Sequence, residues 1–199
     1  MVKSLSPLLL FIILVSGCNQ TTPPQKTSYY LNLDSCLKAV FDQSAQFPIN
    51  IAKENKKPYV NTEAVNLIDL LKQSEQSNRC IILYFTAYGC QQCRVMEEEV
   101  LTDSSIDKRL REEFLFIPLY VDEREQLPHN SSIRLSEDCQ IGSVKTIQKI
   151  GTLNSHLQTT LSRSGSQPYF YAFNTKEPLG SSGNIKTVED FEDFLNSLE

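Results

Sequence analysis

The stretch that decides the fold is Ile81-Ile82-Leu83-Tyr84-Phe85-Thr86-Ala87-Tyr88-Gly89-Cys90-Gln91-Gln92-Cys93-Arg94-Val95-Met96-Glu97. Its apolar first half predicts a buried strand, and the two cysteines follow in a short turn. The apolar residues beyond them recur at helical spacing, so we expect Cys90 at a helix N-terminus. Unpaired backbone N–H groups and the helix dipole stabilise a thiolate there, which should lower the Cys90 pKa below the free value of about 8.5.

The spacing of these cysteines indicates thiol–disulfide exchange. Because a thiolate is the attacking species, Cys90 is expected to form a mixed disulfide with a partner protein. Cys93 lies one turn further into the helix and is expected to be less exposed. It is placed to attack the mixed disulfide, which would release the partner reduced and leave Cys90–Cys93 oxidised.

The N-terminus has the pattern of an export signal. A lysine precedes a short apolar segment, residues 8–15, that is too short to span a bilayer. Val15-Ser16-Gly17-Cys18 resembles the lipobox of bacterial lipoproteins. We therefore expect residues 1–17 to be removed and Cys18 to be acylated, so that its acyl chains anchor the protein in the lipid bilayer. The residue after the cysteine is Asn19 and not an aspartate, and in lipoproteins of Gram-negative envelopes this resemblance implies the outer membrane, facing the periplasm. The alternative is an ordinary secretory signal followed by an unrelated cysteine.

Three segments follow the predicted signal. Residues 18–28 are polar, contain a Pro-Pro pair and are expected to form a lipidated tether. Residues 29–61 form an N-terminal extension whose role the sequence does not assign; it is either a helix and loop packed on the main domain or an element that docks substrates. Residues 62–199 are expected to form the main domain.

Composition and charge exclude several functions. The formal net charge is −5 at pH 7 and the chain has no basic run, so we expect no nucleic-acid partner. No second apolar stretch is long enough to cross a membrane, so electrons would have to come from a separate membrane donor. His129, His156 and Cys139 lack a recognisable ligand spacing, and neither a metal nor another cofactor is expected.

The main domain is predicted to alternate strands and helices. We expect a strand–helix–strand unit with a parallel strand pair, because its crossover is long enough. The later part should hold a long loop, an amphipathic helix, a strand, an edge strand and a capped final helix. The predicted bounds are a helix from Asn61 or Thr62 to Ser77, a strand at 80–86, the helix carrying Cys93, a helix at 105–114, a strand at 114–122, a loop at 123–143, a helix at 144–163, a turn and strand at 166–173, an edge strand at 178–182 and a helix at 188–198.

Three blocks of sequence are similar to the C-terminal thioredoxin-like domain of DsbD-type thiol:disulfide interchange proteins. The blocks are Phe85 to Glu97, Leu119 to Asp122, and Gln167 to Tyr169, and the similarity covers roughly residues 62–198. The resemblance implies an α/β thioredoxin-like fold with a central mixed sheet flanked by helices. It also implies a protein-disulfide reductase or an electron relay to protein disulfides in the cell envelope.

The resemblance assigns roles to residues around the cysteine pair. Cys90 would exchange with partner disulfides, Cys93 would resolve them, and Pro168 would be a cis proline beside the pair. A proline there has no N–H, and it leaves the backbone of Gln167 free to pair with an extended substrate. Tyr88 and Gly89, directly before Cys90, complete the expected substrate-binding set.

Two departures from the family pattern concern a membrane domain and an acidic residue. DsbD-type proteins carry a transmembrane electron-passing domain, whereas this chain has the predicted lipid anchor. Their motif usually has an aspartate where this chain has Tyr84, and tyrosine is a poor base at neutral pH. Glu97 matches the family's second acidic position and is our candidate acceptor for the Cys93 proton. The alternative for Glu97 is a solvated charge beside Glu98 and Glu99.

The direction of exchange is left open by the residues themselves. Gln91 and Gln92 stand between the cysteines. The neighbouring Arg94 favours the Cys90 thiolate, whereas the run Glu97 to Glu99 disfavours it. Resemblance favours a reductant or relay. The alternatives are delivery of thiols during cytochrome c or copper-centre assembly, and a non-catalytic adaptor whose cysteine pair is a structural disulfide or a copper-chaperone site.

Three further cysteines lie outside the motif and the predicted lipid site. Cys80 opens an apolar strand and is expected to be a buried thiol. Cys36 and Cys139 lie outside the core pattern; either they form a disulfide or one of them is an accessory redox thiol.

Overall fold

The computed structural model describes residues 35–44, 47–49 and 65–198, except for the side chain of Asn130. Cys18, the predicted signal and the tether lie outside these residues. The secondary structure is α1 (Ser35–Ser44), α2 (Leu67–Ser77), β1 (Cys80–Thr86), α3 (Gln91–Val95), a π-helical turn (Met96–Val100), α4 (Ser104–Glu112), β2 (Phe114–Tyr120), β3 (Ile133–Arg134), β4 (Thr146–Ile147), α5 (Ile150–Ser162), β5 (Tyr169–Phe173), β6 (Pro178–Ser182) and α6 (Val188–Asn196), with short 3₁₀ turns at Pro128–Asn130 and Glu137–Cys139.

The central sheet is mixed and has the strand order β2-β1-β5-β6. The parallel pair predicted from the strand–helix–strand pattern is confirmed: β1 runs parallel to β2, with Cys80 opposite Phe114 and Thr86 opposite Tyr120. Strand β5 is antiparallel to both β1 and β6. The carboxyl ends of β1 and β2 therefore lie together at the sheet edge from which the cysteine turn projects.

Helices cover both faces of the sheet, which explains the unbroken apolar runs of its inner strands. Alternate β1 residues belong to separate cores: Ile81, Leu83 and Phe85 face one side, and Ile82 and Tyr84 face the other. Helices α1, α2 and α5 contribute to the first core, and α4 and α6 contribute to the second. The mixed α/β class expected from the sequence is confirmed.

Helix α1 packs into the first core, which agrees with the packed helix that was one alternative for residues 29–61. Its buried residues are Leu37, Val40 and Phe41. Cys36 at its start forms a disulfide with Cys139, 103 positions later, which settles the choice left open by the sequence in favour of pairing. Cys80 is a free thiol, but it is half-buried at the first position of β1 and not fully buried as expected; this partial burial raises its pKa.

The predicted start of α2 and the predicted course of residues 123–163 need correction. Helix α2 begins at Leu67, since the Asn66 side chain accepts the N–H of Asp69 and caps it; Asn61 and Thr62 lie outside the described residues. Between residues 123 and 149 the chain forms the strand pair β3–β4 where a loop and the first turns of a helix were expected. Helix α5 begins only at Ile150, because the preceding backbone bonds across to residues 127–135.

The remaining boundaries differ by a few residues. Strand β2 ends at Tyr120, α4 spans Ser104–Glu112 and α6 ends at Asn196. Strands β1 and β6 have the predicted bounds, and Thr187 caps α6 as expected. Within the described part of the chain, no helix combines the length and apolar character needed to cross a bilayer.

Gly151, in the first turn of α5, permits a close approach to the segment that follows β2. Its N–H donates to the Glu123 carbonyl at 3.1 Å. A Cβ at this position would lie 2.4 Å from both the nitrogen and the oxygen of the Glu123 backbone. Glycine therefore allows α5 to fix the start of the 123–149 segment.

Candidate functional site

The cysteine pair lies at the N-terminus of α3, where the sequence places it. Cys90 is the N-cap residue, and its sulfur accepts the N–H of Cys93 at 3.1 Å. The two sulfurs form a disulfide. Cys90 is half-buried, whereas Cys93 is fully buried. A partner protein can therefore reach the sulfur of Cys90 more readily than that of Cys93.

The loop before β5 forms one wall of the site. The Gln167–Pro168 peptide bond is cis, and the Gln167 carbonyl oxygen lies 3.7 Å from Cys90 Sγ. The side-chain amide of Gln167 donates to Gln158 Oε1 at 2.9 Å and to the Gly165 carbonyl at 2.8 Å. It is the backbone of Gln167, not its side chain, that faces the sulfur.

The Tyr88–Gly89 turn before Cys90 is held by a carboxylate from the neighbouring strand end. The backbone N–H of Tyr88 donates to Asp122 Oδ1 at 3.0 Å, and that of Gly89 donates to Oδ2 at 3.3 Å. On the other side, Arg94 Nη1 donates to the Tyr88 carbonyl at 3.0 Å. Both residues of the turn are thereby fixed relative to α3 and β2.

The Tyr88 side chain is also held in place while remaining 42% exposed. Its ring stacks on Tyr120 with centroids 4.2 Å apart, and its hydroxyl donates to the Glu123 carboxylate. The pKa of Tyr88 is raised, mainly by partial burial and secondly by the bond to Glu123. The hydroxyl therefore stays protonated and can donate. The other exposed large apolar side chain in the described residues is Val95, on α3. Both residues flank Cys90 in the chain.

Glu97 lies on the inner side of the helix, one turn after Cys93. It is 5% exposed, and Thr86 Oγ1 donates to its Oε1 at 3.0 Å. It is therefore not the solvated charge that was the alternative, although its neighbours Glu98 and Glu99 are exposed. Its role as proton acceptor stays a prediction.

Tyr84, where DsbD-type proteins usually have an aspartate, is fully buried beneath the pair. Its hydroxyl donates to the Cys93 carbonyl at 3.5 Å. Burial raises its pKa strongly, and the Glu97 carboxylate raises it further. Tyr84 is thus a neutral hydrogen-bond donor, in agreement with the expectation that it is a poor base.

A π-helical turn places Glu97 in this position. Helix α3 widens at Met96–Val100, where the Leu101 N–H donates to the Met96 carbonyl at 2.9 Å. The widened turn buries Met96, Glu97 and Val100 on the same side. π-Helical turns inside helices often occur at functional sites.

Sequence reasoning missed the residues that hold the turn and the buried carboxylate. These are Thr86, Tyr120, Asp122 and Glu123. One available signal was that Asp122 directly follows β2, whose carboxyl end meets that of β1 in a parallel pair. Within residues 35–44, 47–49 and 65–198, no group of three or more His, Cys, Asp and Glu side chains could hold a metal ion.

Known proteins similar to this chain include one protein family and several solved structures. Residues 69–161 match the family model of the thioredoxin-like domain. A search of the curated proteins finds no match. One similar solved structure, described as DsbH oxidoreductase, is 14% identical and has a TM-score of 0.47, with 75% of this chain and 92% of that chain covered. A thioredoxin from Thermus thermophilus is 16% identical and has a TM-score of 0.43, with 65% and 82% covered. The matched residues are thus similar to a thioredoxin-like domain, and Cys90 and Cys93 lie on the turn and helix that follow strand β1.

Proposed function

We propose that this protein is a thiol:disulfide oxidoreductase that reduces protein disulfides or relays electrons to them. The observation that carries the proposal is the unequal burial of the pair: Cys90 is half-buried at the start of α3, and Cys93 is fully buried behind it. Exchange needs this asymmetry, because one sulfur must meet the partner while the other waits for the mixed disulfide.

The reaction begins with the pair reduced. The Cys90 thiolate attacks one sulfur of the partner disulfide, forms a mixed disulfide and releases the other partner sulfur as a thiolate. Cys93 then loses its proton and attacks Cys90 Sγ, which breaks the mixed disulfide and closes Cys90–Cys93. The partner leaves with two electrons and, after protonation, two thiols. A separate donor must return two electrons to the pair before the next cycle.

Glu97 is the proposed acceptor of the Cys93 proton. Its carboxylate is buried on the same helical segment, one turn beyond Cys93, and is held by Thr86. Within a site closed to water, a positioned carboxylate can take the proton as the thiol attacks. Pro168 and the Gln167 backbone, beside Cys90, are the proposed seat for an extended partner segment, with Tyr88 and Gly89 on its other side.

The proposed setting is the cell envelope. It rests on the predicted acylation of Cys18, which would anchor the domain in the outer membrane facing the periplasm. The electron donor would then be a separate membrane protein. Globomycin, which blocks removal of lipoprotein signals, tests this setting, because the heavier precursor should then accumulate in place of the mature protein. A mature protein that forms normally during treatment would contradict it.

The reduction potential of Cys90–Cys93 tests the activity and its direction. The soluble domain is equilibrated in graded glutathione or dithiothreitol buffers and the thiols are counted. A value of about −270 mV, that of thioredoxin, supports a reductant, and a value of about −120 mV would make the protein an oxidant. A pair that stays oxidised throughout would favour the adaptor.

Trapping tests the order of attack. A Cys93→Ala variant should hold partners on Cys90 as mixed disulfides that reducing agent releases. The Cys90→Ala/Cys93→Ala double variant is the matched control, since it keeps Cys80 and the Cys36–Cys139 disulfide. Equal capture by the two variants would contradict the role of Cys90.

A further inference from the structure

Two carboxylates hold the turn before Cys90, and we call Asp122 and Glu123 the carboxylate clamp. Asp122 accepts two successive backbone N–H groups, those of Tyr88 and Gly89, one on each oxygen. Glu123 accepts the Tyr88 hydroxyl. The clamp therefore holds both the backbone and the side chain of the segment that delivers Cys90.

The clamp is itself fixed by its surroundings. Glu123 Oε1 accepts the backbone N–H groups of Arg124 at 2.8 Å and Glu125 at 3.2 Å, which leaves Oε2 directed to Tyr88. The Glu123 carbonyl accepts the N–H of Gly151 on α5. The two negative charges of the clamp thus have fixed positions beside the cysteine turn.

The charged groups around Cys90 come from three elements. Helix α3 contributes Arg94, the π-helical turn contributes the buried Glu97, and the segment after β2 contributes the clamp. The wall before β5 contributes the neutral Gln167. Among these groups of the described residues, carboxylates outnumber the cation Arg94, and like charge disfavours a thiolate at Cys90.

Destabilising the thiolate destabilises the reduced pair, and this makes the pair a stronger reductant. We propose that Asp122 and Glu123 are positioning residues that fix the turn before Cys90 and hold the pair toward the reducing side. The proposal rests on the proposed exchange function. It adds a structural cause for the direction of exchange.

The variants Glu123→Gln and Asp122→Asn test the proposal through the equilibrium with glutathione. Glu123→Gln removes the charge but keeps an oxygen that accepts the Tyr88 hydroxyl. Each variant should favour the reduced pair about threefold more than the parent does, a shift of about 14 mV to higher potential. The shift should shrink in 1 M salt, because exposed charges are then screened within about 3 Å.

Glu177→Gln is the matched control. Glu177 is an exposed carboxylate in the turn between β5 and β6, and this turn follows the end of β5 that is remote from Pro168. It should leave the equilibrium constant unchanged. The proposal would be overturned if both clamp variants had the same equilibrium constant with glutathione as the parent, or if they shifted toward the oxidised pair. Either result would leave the exchange function intact. Failure of the parent protein to equilibrate with glutathione would instead remove the exchange function. If Asp122→Asn unfolds, Glu123→Gln alone decides.

Discussion

Thr86 Oγ1 donates a hydrogen bond of 3.0 Å to Oε1 of Glu97. This bond joins the last residue of β1 to the π-helical turn behind Cys93 and holds a carboxylate that is 5% exposed. Isolated carboxylates are costly to bury, so the bond is part of what allows Glu97 to remain there. The chemistry of the pair thus depends on a side chain from the sheet as well as on the helix.

Glu97→Gln should slow the closing of the Cys90–Cys93 disulfide on a bound partner. A positioned general base contributes about 100-fold or more, so a loss of about that size is expected. The measurement is single-turnover reduction of a peptide disulfide by stopped-flow. Glu98→Gln, which changes an exposed neighbour in the same way, should keep the parental rate; equal rates in all three proteins would refute the proton-acceptor role.

Thr86→Val should destabilise the fold, because it leaves a buried carboxylate oxygen without this donor. A loss of about 1–3 kcal/mol in the free energy of unfolding is expected. Thr86→Ser keeps the hydroxyl and should lose less than Thr86→Val. Urea unfolding of the oxidised proteins measures both, and equal losses would show that the hydroxyl is not the stabilising group.

Removing the disulfide that joins α1 to the 123–149 segment should lower stability strongly. Cys36 and Cys139 are 103 positions apart, and the double change to alanine releases a long closed loop in the unfolded chain. The expected loss is about 2–5 kcal/mol. Guanidinium unfolding with Cys90–Cys93 kept oxidised provides the measurement. An unchanged midpoint and slope would mean that the disulfide does not stabilise the domain.

Gly151→Ala should disturb the clamp through the backbone. The added Cβ would lie 2.4 Å from backbone atoms of Glu123, and overpacking of this kind costs about 1–3 kcal/mol. Thermal unfolding measures the loss. Gly165→Ala is the control, since a Cβ there meets no atom within 4 Å. Comparable melting temperatures for the two variants would contradict the close approach of α5 to Glu123.

Cys80 should react slowly with iodoacetamide at pH 8. Burial raises its thiol pKa, so the reactive thiolate fraction is smaller than for a free cysteine, and it should rise as the pH increases. Mass spectrometry of the oxidised protein measures the rate at which Cys80, the single free thiol of the described residues, is alkylated. Unfolded protein supplies the reference rate. A folded protein that reacts as fast as the unfolded one would show that burial does not protect Cys80.

Local patterns predicted the parts of the fold that depend on short-range signals. The apolar run of β1 and the turn residues around it set its bounds, and Thr187 marked the start of α6. The pair β3–β4 was missed because each strand has only two residues and depends on the other for its backbone bonds. The helix predicted from residue 144 was too long, because residues 146–147 form β4 and pair with β3 instead.

The cysteine site was predicted to a similar extent. The spacing of the residues placed Cys90 and Cys93 at the start of a helix, and the resemblance to known sequences placed a cis Pro168 beside them. The clamp could not be found from periodicity, since Asp122 and Tyr88 are 34 positions apart and meet only through the sheet register. The burial of Glu97 depends on a π-helical turn, for which no pattern in the run of three glutamates gave a signal.

The Cys36–Cys139 disulfide also affects how the domain can be cut for laboratory production. The family match begins at residue 69, so a fragment drawn to that boundary would retain Cys139 and lose its partner. It would also lose Leu37, Val40 and Phe41, which fill the first core. Such a fragment would carry an unpaired thiol and an uncovered apolar surface, and its dimers or aggregates would reflect the cut and not the native chain.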